Sequence, residues 1–535
     1  MWGKGFGRYG WPRGTVRLAD RHPRPTALPQ GCCAPFRYSI DTVVPERSNY
    51  ADMRRLLSPV SVPLIVVILI LTVPFVAVGG LFLWSALGDV PFINVQFLPG
   101  DGSPTSPTST GQASPAEYDP SVPEGFTVEV LAEGFANPTA IAVAAGNKLF
   151  VAEKGGTVWV LEDGRRLPGP FIDLSPEVND AGERGLLGMA IDPNFEENGW
   201  VYLAFTVDPV FGAPDEQAEV VTYGRLVRYR ASEESGRTIA DPSSRQILIG
   251  ESAQDGIPVG SASHTVGDVV FGQDGFLFLS AGEGAHFDFA DYGQDIGEFD
   301  PSFESTFGAA QDIGAFRAQS LDSLAGKILR LDPATGDGLP TNPFFTGDPK
   351  EAASKVWALG FRNPFRFTIR PGTAGNEILY VADVGWAEWE EINAISAGQN
   401  GGWPCFEGGV IQPSYWSQSE ARRRCEELDP EDVVTPVLSY NRSAQGGGFS
   451  GNTVIGGFFY DGPSQPEWDG RYFFADYTEG FIRALRLDGN DRVLEARLFA
   501  EELEFPVDLA EGNSGEIYVV EIASGRIIKV TPEGV

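Results

Sequence analysis

The sequence predicts an all-β protein, a six-bladed β-propeller preceded by a single N-terminal transmembrane helix and a flexible linker. Three observations support this prediction: a six-fold repeat of short apolar strands, an uncharged apolar run near the N-terminus, and a Pro/Ser/Thr-rich segment between the two. The 65 glycines and 40 prolines among 535 residues also favour many short strands joined by tight turns over long helices.

The repeat is a glycine followed by an aromatic and aliphatic strand that usually ends at an acidic residue or a glycine. Its six copies are GNKLFVAE, GWVYLAF, GFLFLSAGE, GNEILYVAD, GRYFFAD and GEIYVVE, which begin at positions 146, 199, 275, 375, 470 and 515. Six such sheets are too many for a β-sandwich, the structural alternative, and they indicate six propeller blades. The uneven spacing places insertions mainly in blades three and four. FTVEVLA (126–132) is expected to add a strand to the last blade and close the ring.

The apolar run from Leu56 to Gly88 contains no charged residue and exceeds the roughly 20 apolar residues that cross a bilayer. Arg54 and Arg55 precede the run and Asp89 follows it, so the positive-inside rule places the N-terminus in the cytoplasm. We expect an uncleaved anchor, with a cleaved signal peptide as the alternative. The body is therefore predicted to be membrane-anchored and extracytoplasmic.

The chain is predicted to contain four segments. Residues 1–55 form a disordered tail or reflect an unsuitable start site, with Met53 as the more natural start, and residues 56–88 form the anchor. Residues 89–122 are rich in Pro, Ser and Thr and cannot bury a core, so they are expected to be a flexible linker. The propeller is expected over 123–535.

Charge and cysteine content narrow the partners and the compartment. The 73 acidic and 39 basic side chains give a formal net charge of −34, which argues against a nucleic-acid partner because phosphates would be repelled. No Cys/His cluster has zinc spacing. Outside the cytoplasm, Cys405 and Cys425 are expected to form a disulfide that closes a loop.

Five segments resemble, in the same order, blocks of the soluble quinoprotein glucose/sorbosone dehydrogenases, which include aldose sugar dehydrogenases that use pyrroloquinoline quinone (PQQ). The segments are GERGLLGMAIDPNFEENGWVYLAFT (182–206), HTVGDVVFGQDGFLFLSAGE (264–283), LAGKILRLDP (324–333), GFRNPFRF (360–367) and DVGWAEWEEINAISAGQNGGWP (383–404). The resemblance implies a six-bladed propeller with PQQ and calcium as cofactors. It also implies an aldose substrate, oxidised at its C1 hydroxyl to a lactone, and an electron acceptor that the sequence does not identify.

His264, one of three histidines, precedes a predicted hairpin, and Glu283 lies where the return strand ends. The resemblance implies that His264 is the general base that accepts the proton of the anomeric hydroxyl. An imidazole with an ordinary pKa of about 6.5 suits this role. Glu283 occupies the position of a family Asp and would fix the tautomer of the imidazole. Without the resemblance, His264 is better interpreted as a loop histidine bonded to backbone.

The motif GFRNP matches the Arg–Asn pair that contacts the quinone in this family. Arg362 would thus be catalytic as well as cofactor-binding, since a guanidinium stabilises the negative charge that arrives with the hydride, and Asn363 would contact the same group. A turn before Pro364 is the alternative interpretation.

The motif DVGWAEWEEIN resembles the family's calcium region. By this resemblance, the carbonyls of Gly385 and Trp386 bind the calcium that contacts the cofactor. Glu391 matches a carboxylate ligand of a second, structural calcium, with the carbonyl of Gly401 as a further ligand. A run such as EWEE is more often a solvated face.

The cations that would hold the carboxylates of PQQ depart from the family pattern. The family often has Gln before GLLG, where this chain has Arg184. The stretches 476–480 and 504–509 lack the Lys and the two Arg of the better-studied glucose enzymes. The predicted substitutes are Arg184, Arg362, Arg442 and Lys327.

Three functions follow from these observations. The leading hypothesis is a membrane-tethered, extracytoplasmic PQQ-dependent sugar dehydrogenase. The missing cations favour the second, a carbohydrate- or protein-binding propeller without redox activity. The third is a calcium-dependent lactonase, which needs carboxylates that converge on the channel axis, and the sequence indicates no such set.

Overall fold

A computed structural model describes residues 118, 120–146, 148–211, 220–293, 302–462 and 464–534. The chain divides into two compact units, Met1–Asn94 and Val95–Val535, and all described residues belong to the second. The predicted tail and anchor, and nearly all of the predicted linker, lie outside the described residues. Among the helices that the structure describes, none combines the length and the apolar character needed to cross a bilayer.

Six antiparallel sheets form the six predicted blades. The strand that completes the ring and the strands of the first three blades are, in chain order, β1 (Phe126–Glu133), β2 (Pro138–Ala144), β3 (Lys148–Glu153), β4 (Thr157–Glu162), β5 (Arg165–Arg166), β6 (Ile172–Asp173), β7 (Leu186–Ile191), β8 (Trp200–Thr206), β9 (Thr222–Ala231), β10 (Ala240–Ile249), β11 (Ile257–Val259), β12 (Val266–Phe271), β13 (Leu277–Ala281), β14 (Lys327–Leu331) and β15 (Val356–Leu359).

The remaining three blades follow in the same pattern. Their strands, with one extra hairpin formed by β19 and β20, are β16 (Pro364–Ile369), β17 (Leu379–Asp383), β18 (Glu390–Ile395), β19 (Phe406–Glu407), β20 (Val410–Ile411), β21 (Leu438–Tyr440), β22 (Val454–Ile455), β23 (Tyr472–Asp476), β24 (Phe481–Leu487), β25 (Val493–Ala500), β26 (Pro506–Glu511), β27 (Ile517–Glu521) and β28 (Arg526–Pro532).

The described helices are short, as the glycine and proline content indicates. The α-helices are α1 (Phe195–Asn198), α2 (Ser302–Phe307), α3 (Ala352–Lys355), α4 (Pro413–Ser417) and α5 (Ser419–Cys425), and the 3₁₀ turns are Ala253–Asp255, Gly314–Gln319 and Pro430–Asp432.

The repeat predicted from the sequence is the second strand of each blade: β3, β8, β13, β17, β23 and β27. Every residue of β13, β17 and β23 is buried. Because each blade packs between two others, its middle strands are covered on both faces and appear in the sequence as continuous apolar runs. The prediction of six blades is therefore confirmed.

Strand β1 completes the last blade and closes the ring. It pairs antiparallel with β28, from Phe126 opposite Pro532 to Glu133 opposite Arg526. The sixth blade is thus built from both ends of the described propeller, as predicted for 126–132. The last blade therefore joins the two ends of the ring through backbone hydrogen bonds.

A buried arginine links three blades inside the ring. Arg366, on β16, donates from Nη2 to the carbonyl of Thr139 on β2 at 2.5 Å, and its Nε lies 3.1 Å from Oδ1 of Asp508 on β26. Burial raises the pKa of Asp268, on β12, to about 7, and the positive charge of Arg366 opposes this shift. The ring interior is therefore held together by charge as well as by apolar packing.

The insertions predicted for blades three and four lie between β13 and β14 and between β18 and β21. The second insertion carries the β19–β20 hairpin, α4 and α5, and it is closed by the disulfide between Cys405 and Cys425. The predicted disulfide is therefore present. Both sulfur-bearing residues are buried, at 1% exposure each, so the bridge lies within the packed insertion.

Candidate active site

The predicted catalytic residues lie on one side of the ring, the side at which the inner strands begin, here called the mouth face. His264 precedes the inner strand β12, and Glu283 follows β13, whose last residue pairs with the first residue of β12. Arg362 precedes the next inner strand, β16. Strand register therefore brings together three residues that are separated by up to 98 positions in the chain.

His264 and Glu283 form a buried hydrogen-bonded pair. Nδ1 of His264 lies 2.5 Å from Oε1 of Glu283, and the two residues are 3% and 1% exposed. His264 has a φ of 52°, in the left-handed region that residues other than glycine seldom adopt. Gly282 passes directly against this backbone, and a Cβ there would overlap the carbonyl oxygen of His264. Strained backbone of this kind is commonly found at functional sites.

The protein environment favours the uncharged forms of both partners. Burial lowers the pKa of His264 well below its ordinary value, and the charge of Arg362 lowers it further. Burial also raises the pKa of Glu283 to about 8, although Arg362 and Arg317 oppose this shift. Burial thus favours the unprotonated imidazole of His264, the charge state that a general base must have.

Arg362 is fixed beside this pair by backbone contacts. Its Nη1 donates to the carbonyls of Val384 and Gly385 at 3.0 and 2.8 Å, and its own carbonyl accepts the N–H of Glu283 at 2.9 Å. Asp383 accepts the backbone N–H of Arg362 at 3.0 Å and that of Asn363 at 2.6 Å. The Arg–Asn turn is therefore held rigidly at the end of β17.

Oε2 of Glu283 and Nε1 of Trp403 are buried without a well-aligned hydrogen bond among the described residues, but the Trp403 indole lies close enough to the Glu283 carboxyl to oppose the rise of its pKa. The ring of Trp403 also lies 5.6 Å from the guanidinium carbon of Arg362. An unpaired buried polar atom costs about 1–3 kcal/mol. The indole N–H and the carboxyl can offset part of this cost by facing each other.

Three of the four predicted calcium residues, Gly385, Glu391 and Gly401, line a small cavity of about 10 Å³, and Trp386 does not. Asp383, Glu407 and the cationic Arg362 also line it. That volume corresponds to about one water molecule or ion. Burial raises the pKa of Glu391 to about 8 and that of Asp383 to about 7.

Internal donors already engage several of these oxygens. Glu391 accepts from the N–H of Gly408 and from Nδ2 of Asn393, and the carbonyl of Gly385 accepts from Arg362. The N–H of Trp386 donates to Glu407 at 2.5 Å. Within the residues that the structure describes, no group of three or more His, Cys, Asp or Glu side chains is arranged to hold a metal ion. The two calcium sites therefore stay predictions.

The predicted substitute cations occupy different environments. Arg184 is buried and donates to the carbonyls of Ser261 and Val220, and burial lowers its pKa to about 10. Lys327 is buried and donates to the carbonyls of Arg317, Ala318 and Ala325 at 2.6, 2.9 and 2.8 Å. Arg442 is exposed and donates to Asn452. Of these three, only Arg442 is exposed.

The structure adds site residues that the sequence analysis did not single out. Glu183 is exposed, and its Oε2 accepts the backbone N–H of His264 at 3.2 Å. Its position within the matched block GERGLLG, next to Arg184, was an available signal. Trp403 is part of the matched block 383–404, which was an available signal. Glu407 lies in the disulfide-closed insertion, where the sequence carries no pattern that indicates contact with the site.

Comparison with known proteins places these features in a family. The family model described as Glucose / Sorbosone dehydrogenase matches residues 135–529. HIPL1 protein of Arabidopsis thaliana is 27% identical over 362 residues, which make up 60% of this chain and 47% of that protein. Quinoprotein glucose dehydrogenase B of Acinetobacter calcoaceticus is 25% identical over 316 residues, 56% of this chain and 57% of that one.

A solved structure gives the same fold. The soluble aldose sugar dehydrogenase of Escherichia coli, in its apo form, matches with a TM-score of 0.54 and 22% identity over 76% of this chain and 100% of that chain. The chain spans about half the length of the first curated relatives it matches. The resemblance noted in the sequence is thus confirmed, and the chain belongs to the Glucose / Sorbosone dehydrogenase family.

Proposed function

We propose that this protein is a membrane-tethered, extracytoplasmic quinoprotein dehydrogenase that oxidises the C1 hydroxyl of aldose sugars to lactones. The observation that carries the proposal is the buried pair of His264 and Glu283, with Nδ1 and Oε1 2.5 Å apart, beside the backbone-anchored Arg362. Membership of the family and the likeness to a quinoprotein glucose dehydrogenase support the same reaction.

The residues at the mouth face fit the quinone end of PQQ. Glu283 and Trp403 lie against each other beside Arg362, and their buried Oε2 and Nε1 would offer an acceptor and a donor to a bound polar group. Arg362 uses Nη1 for backbone carbonyls, and among the described residues no hydrogen bond engages its Nη2. Arg362 and Asn363 would hold the quinone, with the exposed Arg442 as the cation for a carboxylate. When bound, PQQ supplies the acceptor for the hydride and its two electrons.

His264 and Glu283 supply the proton chemistry. With Glu283 ionised, its carboxylate accepts the Nδ1–H of His264, and this tautomer leaves the lone pair of Nε2 available for the proton of the anomeric hydroxyl. The carboxylate then stabilises the imidazolium, while the hydride leaves C1 and the lactone carbonyl forms. Proton acceptance by a positioned imidazole contributes about 10²–10⁴-fold to such reactions.

Calcium binding belongs to the same proposal. The small cavity beside Glu391, Asp383 and the carbonyl of Gly401 offers oxygen atoms, which are the ligands that calcium prefers. The carbonyls of Gly385 and Trp386 would bind the calcium next to the cofactor. There a divalent ion would act as a Lewis acid.

The location outside the cytoplasm is supported by the disulfide between Cys405 and Cys425, because such bridges persist mainly in oxidising compartments. The uncharged run at 56–88 would provide the tether. An anchor there would keep the enzyme close to a membrane-bound or soluble electron acceptor.

The test uses the full chain with PQQ and calcium, assayed by dye reduction across a panel of aldoses. We expect His264→Ala to lower kcat by about 10²-fold or more while PQQ still binds, because this change removes only the base. Absence of PQQ binding at micromolar concentration would overturn the proposal.

A non-catalytic binding propeller is the second candidate, and one observation favours it. On the mouth face of blades five and six, Tyr477 and Phe505 lie in the two stretches, 476–480 and 504–509, that carry no cation. A ligand that binds without PQQ, together with no dye reduction for any aldose, would support this candidate.

A further inference from the structure

We propose that Glu183, Tyr477 and Phe505 form a subsite for a positively charged group, so that the site prefers amino sugars to sugar acids. The inference deepens the proposed function and rests on it, because the subsite would select among aldoses that reach His264. All three residues lie on the mouth face: Glu183 precedes β7, Tyr477 follows β23 and Phe505 precedes β26.

Glu183 is a fixed carboxylate beside the proposed base. Its Oε2 accepts the backbone N–H of His264 at 3.2 Å, and its own N–H donates to the carbonyl of Ala262 at 2.7 Å. Although these contacts hold it in place, the residue is exposed. A substrate bound at His264 would therefore lie within reach of the Glu183 side chain.

The charge of Glu183 acts across the mouth. Glu183 belongs to blade two and Tyr477 to blade five, which are opposite each other in a ring of six. Burial raises the pKa of the Tyr477 phenol to about 12, and the carboxylate of Glu183 is a second cause of the increase. The charge of Glu183 is thus felt by the phenol on the opposite side of the mouth face, where Glu183 and Phe505 are both exposed.

Tyr477 and Phe505 form an aromatic pair on the far side. Their ring centroids are 5.1 Å apart and the planes are tilted by 46°. Phe505 is 40% exposed, and its φ of 56° is a left-handed conformation that is costly for a bulky residue. Strain of this kind usually persists where it serves a function. An exposed aromatic ring held by a strained backbone is therefore suited to contact a ligand.

A carboxylate facing aromatic rings recognises cations. An ammonium group is attracted by the carboxylate charge and by the negative faces of the rings. A sugar acid would instead bring its carboxylate towards Glu183, next to stretches that contain no Lys or Arg. An aldose with a protonated amino group is thus the substrate class that fits best.

The test measures Kd by calorimetry and kcat/KM by dye reduction for glucosamine, glucose and glucuronic acid, with the full chain. We expect wild type to prefer glucosamine to glucuronic acid. Glu183→Gln should reduce that preference at least about tenfold, because it removes the carboxylate charge that attracts the ammonium group of the sugar. Tyr477→Leu and Phe505→Leu keep the apolar volume and should reduce it about threefold by removing the π faces.

Glu479→Gln is the matched control. Glu479 is an exposed carboxylate in the loop after β23, and its replacement by Gln changes the net charge by the same amount as Glu183→Gln. An equal effect of Glu183→Gln and Glu479→Gln would overturn the subsite, since a general field would then explain both. Turnover of all three sugars with an unchanged ratio in Glu183→Gln would also overturn it, and would leave the dehydrogenase intact. Selective binding without PQQ-dependent turnover would support the subsite and overturn the proposed function. Binding of none of the sugars would overturn both.

Discussion

Oε1 of Glu283 lies 2.5 Å from Nδ1 of His264, and both side chains are almost completely buried. The carboxyl retains its proton up to a pH of about 8, because burial penalises its ionised form. The imidazole can serve as a base at Nε2 only when Glu283 is ionised and accepts the Nδ1–H. The state of Glu283 therefore controls the state of His264.

The first prediction concerns the pH dependence of activity. We expect kcat/KM to rise with pH, about tenfold per unit where Glu283 is mostly protonated, and to level off near pH 8. Glu283→Gln should lower activity by about 10²-fold or more and abolish this rise, because an amide has no ionised form. Glu283→Asp should keep the rise. A rise of the same shape in Glu283→Gln would contradict the assignment.

The same group affects stability in the opposite direction. Its pKa is raised in the folded protein, so its contribution to stability is fully present below the unfolded pKa, near 4.5, and is lost as the pH rises towards 8. We expect the free energy of unfolding to fall between pH 5 and 8 by at most about 1.4 kcal/mol per unit from this group. Glu283→Gln should flatten the curve, and denaturant titrations at several pH values measure it.

A feature of this protein can be predicted from the sequence when the pattern that encodes it lies within one short segment. The blade repeat is local, because buried middle strands must be apolar along their whole length, so β13 and β23 could be recognised from single segments. The resemblance of two short segments to the family identified His264, Glu283 and Arg362. Strand register then brings these three residues together.

Residues that depend on long-range packing could not be found in this way. Glu407 reaches the site through an insertion whose path is set by a disulfide and by contacts between loops, and no periodic pattern encodes these. The burial of Lys327 could not be predicted either, since a lysine on a strand is normally exposed. Its three carbonyl partners come from two separate turns of the chain.

The third prediction concerns calcium. We expect calcium to raise the Tm of the wild-type chain, because an ion that binds only the folded state stabilises it by mass action. Glu391→Gln should reduce this shift strongly, since Glu391 lines the small cavity. Glu388→Gln, an exposed neighbour in the same EWEE run, should retain it. Equal calcium shifts in all three proteins, measured by thermal unfolding, would refute a site at Glu391.

The fourth prediction concerns the disulfide. Replacing Cys405 and Cys425 by Ser should lower the free energy of unfolding by about 3 kcal/mol, the chain-entropy value for a loop of this size. Reductant should have little further effect on this variant. Replacement of Cys32 and Cys33 by Ser is the control, and should change stability little because both lie outside the predicted propeller. If both double variants lose stability equally, the bridge is not the cause.

The last prediction concerns the ring interior. Arg366 is buried between Thr139 and Asp508, so Arg366→Met should lower the free energy of unfolding by about 3–5 kcal/mol, because it leaves a buried carboxylate uncompensated. Adding Asp508→Asn should recover part of this loss, since the uncompensated charge is then removed. Arg423→Met is the control, because Arg423 pairs with Glu420 on the surface and should cost little. Additive losses in the Arg366 and Asp508 double variant would show that the two residues do not act as a pair.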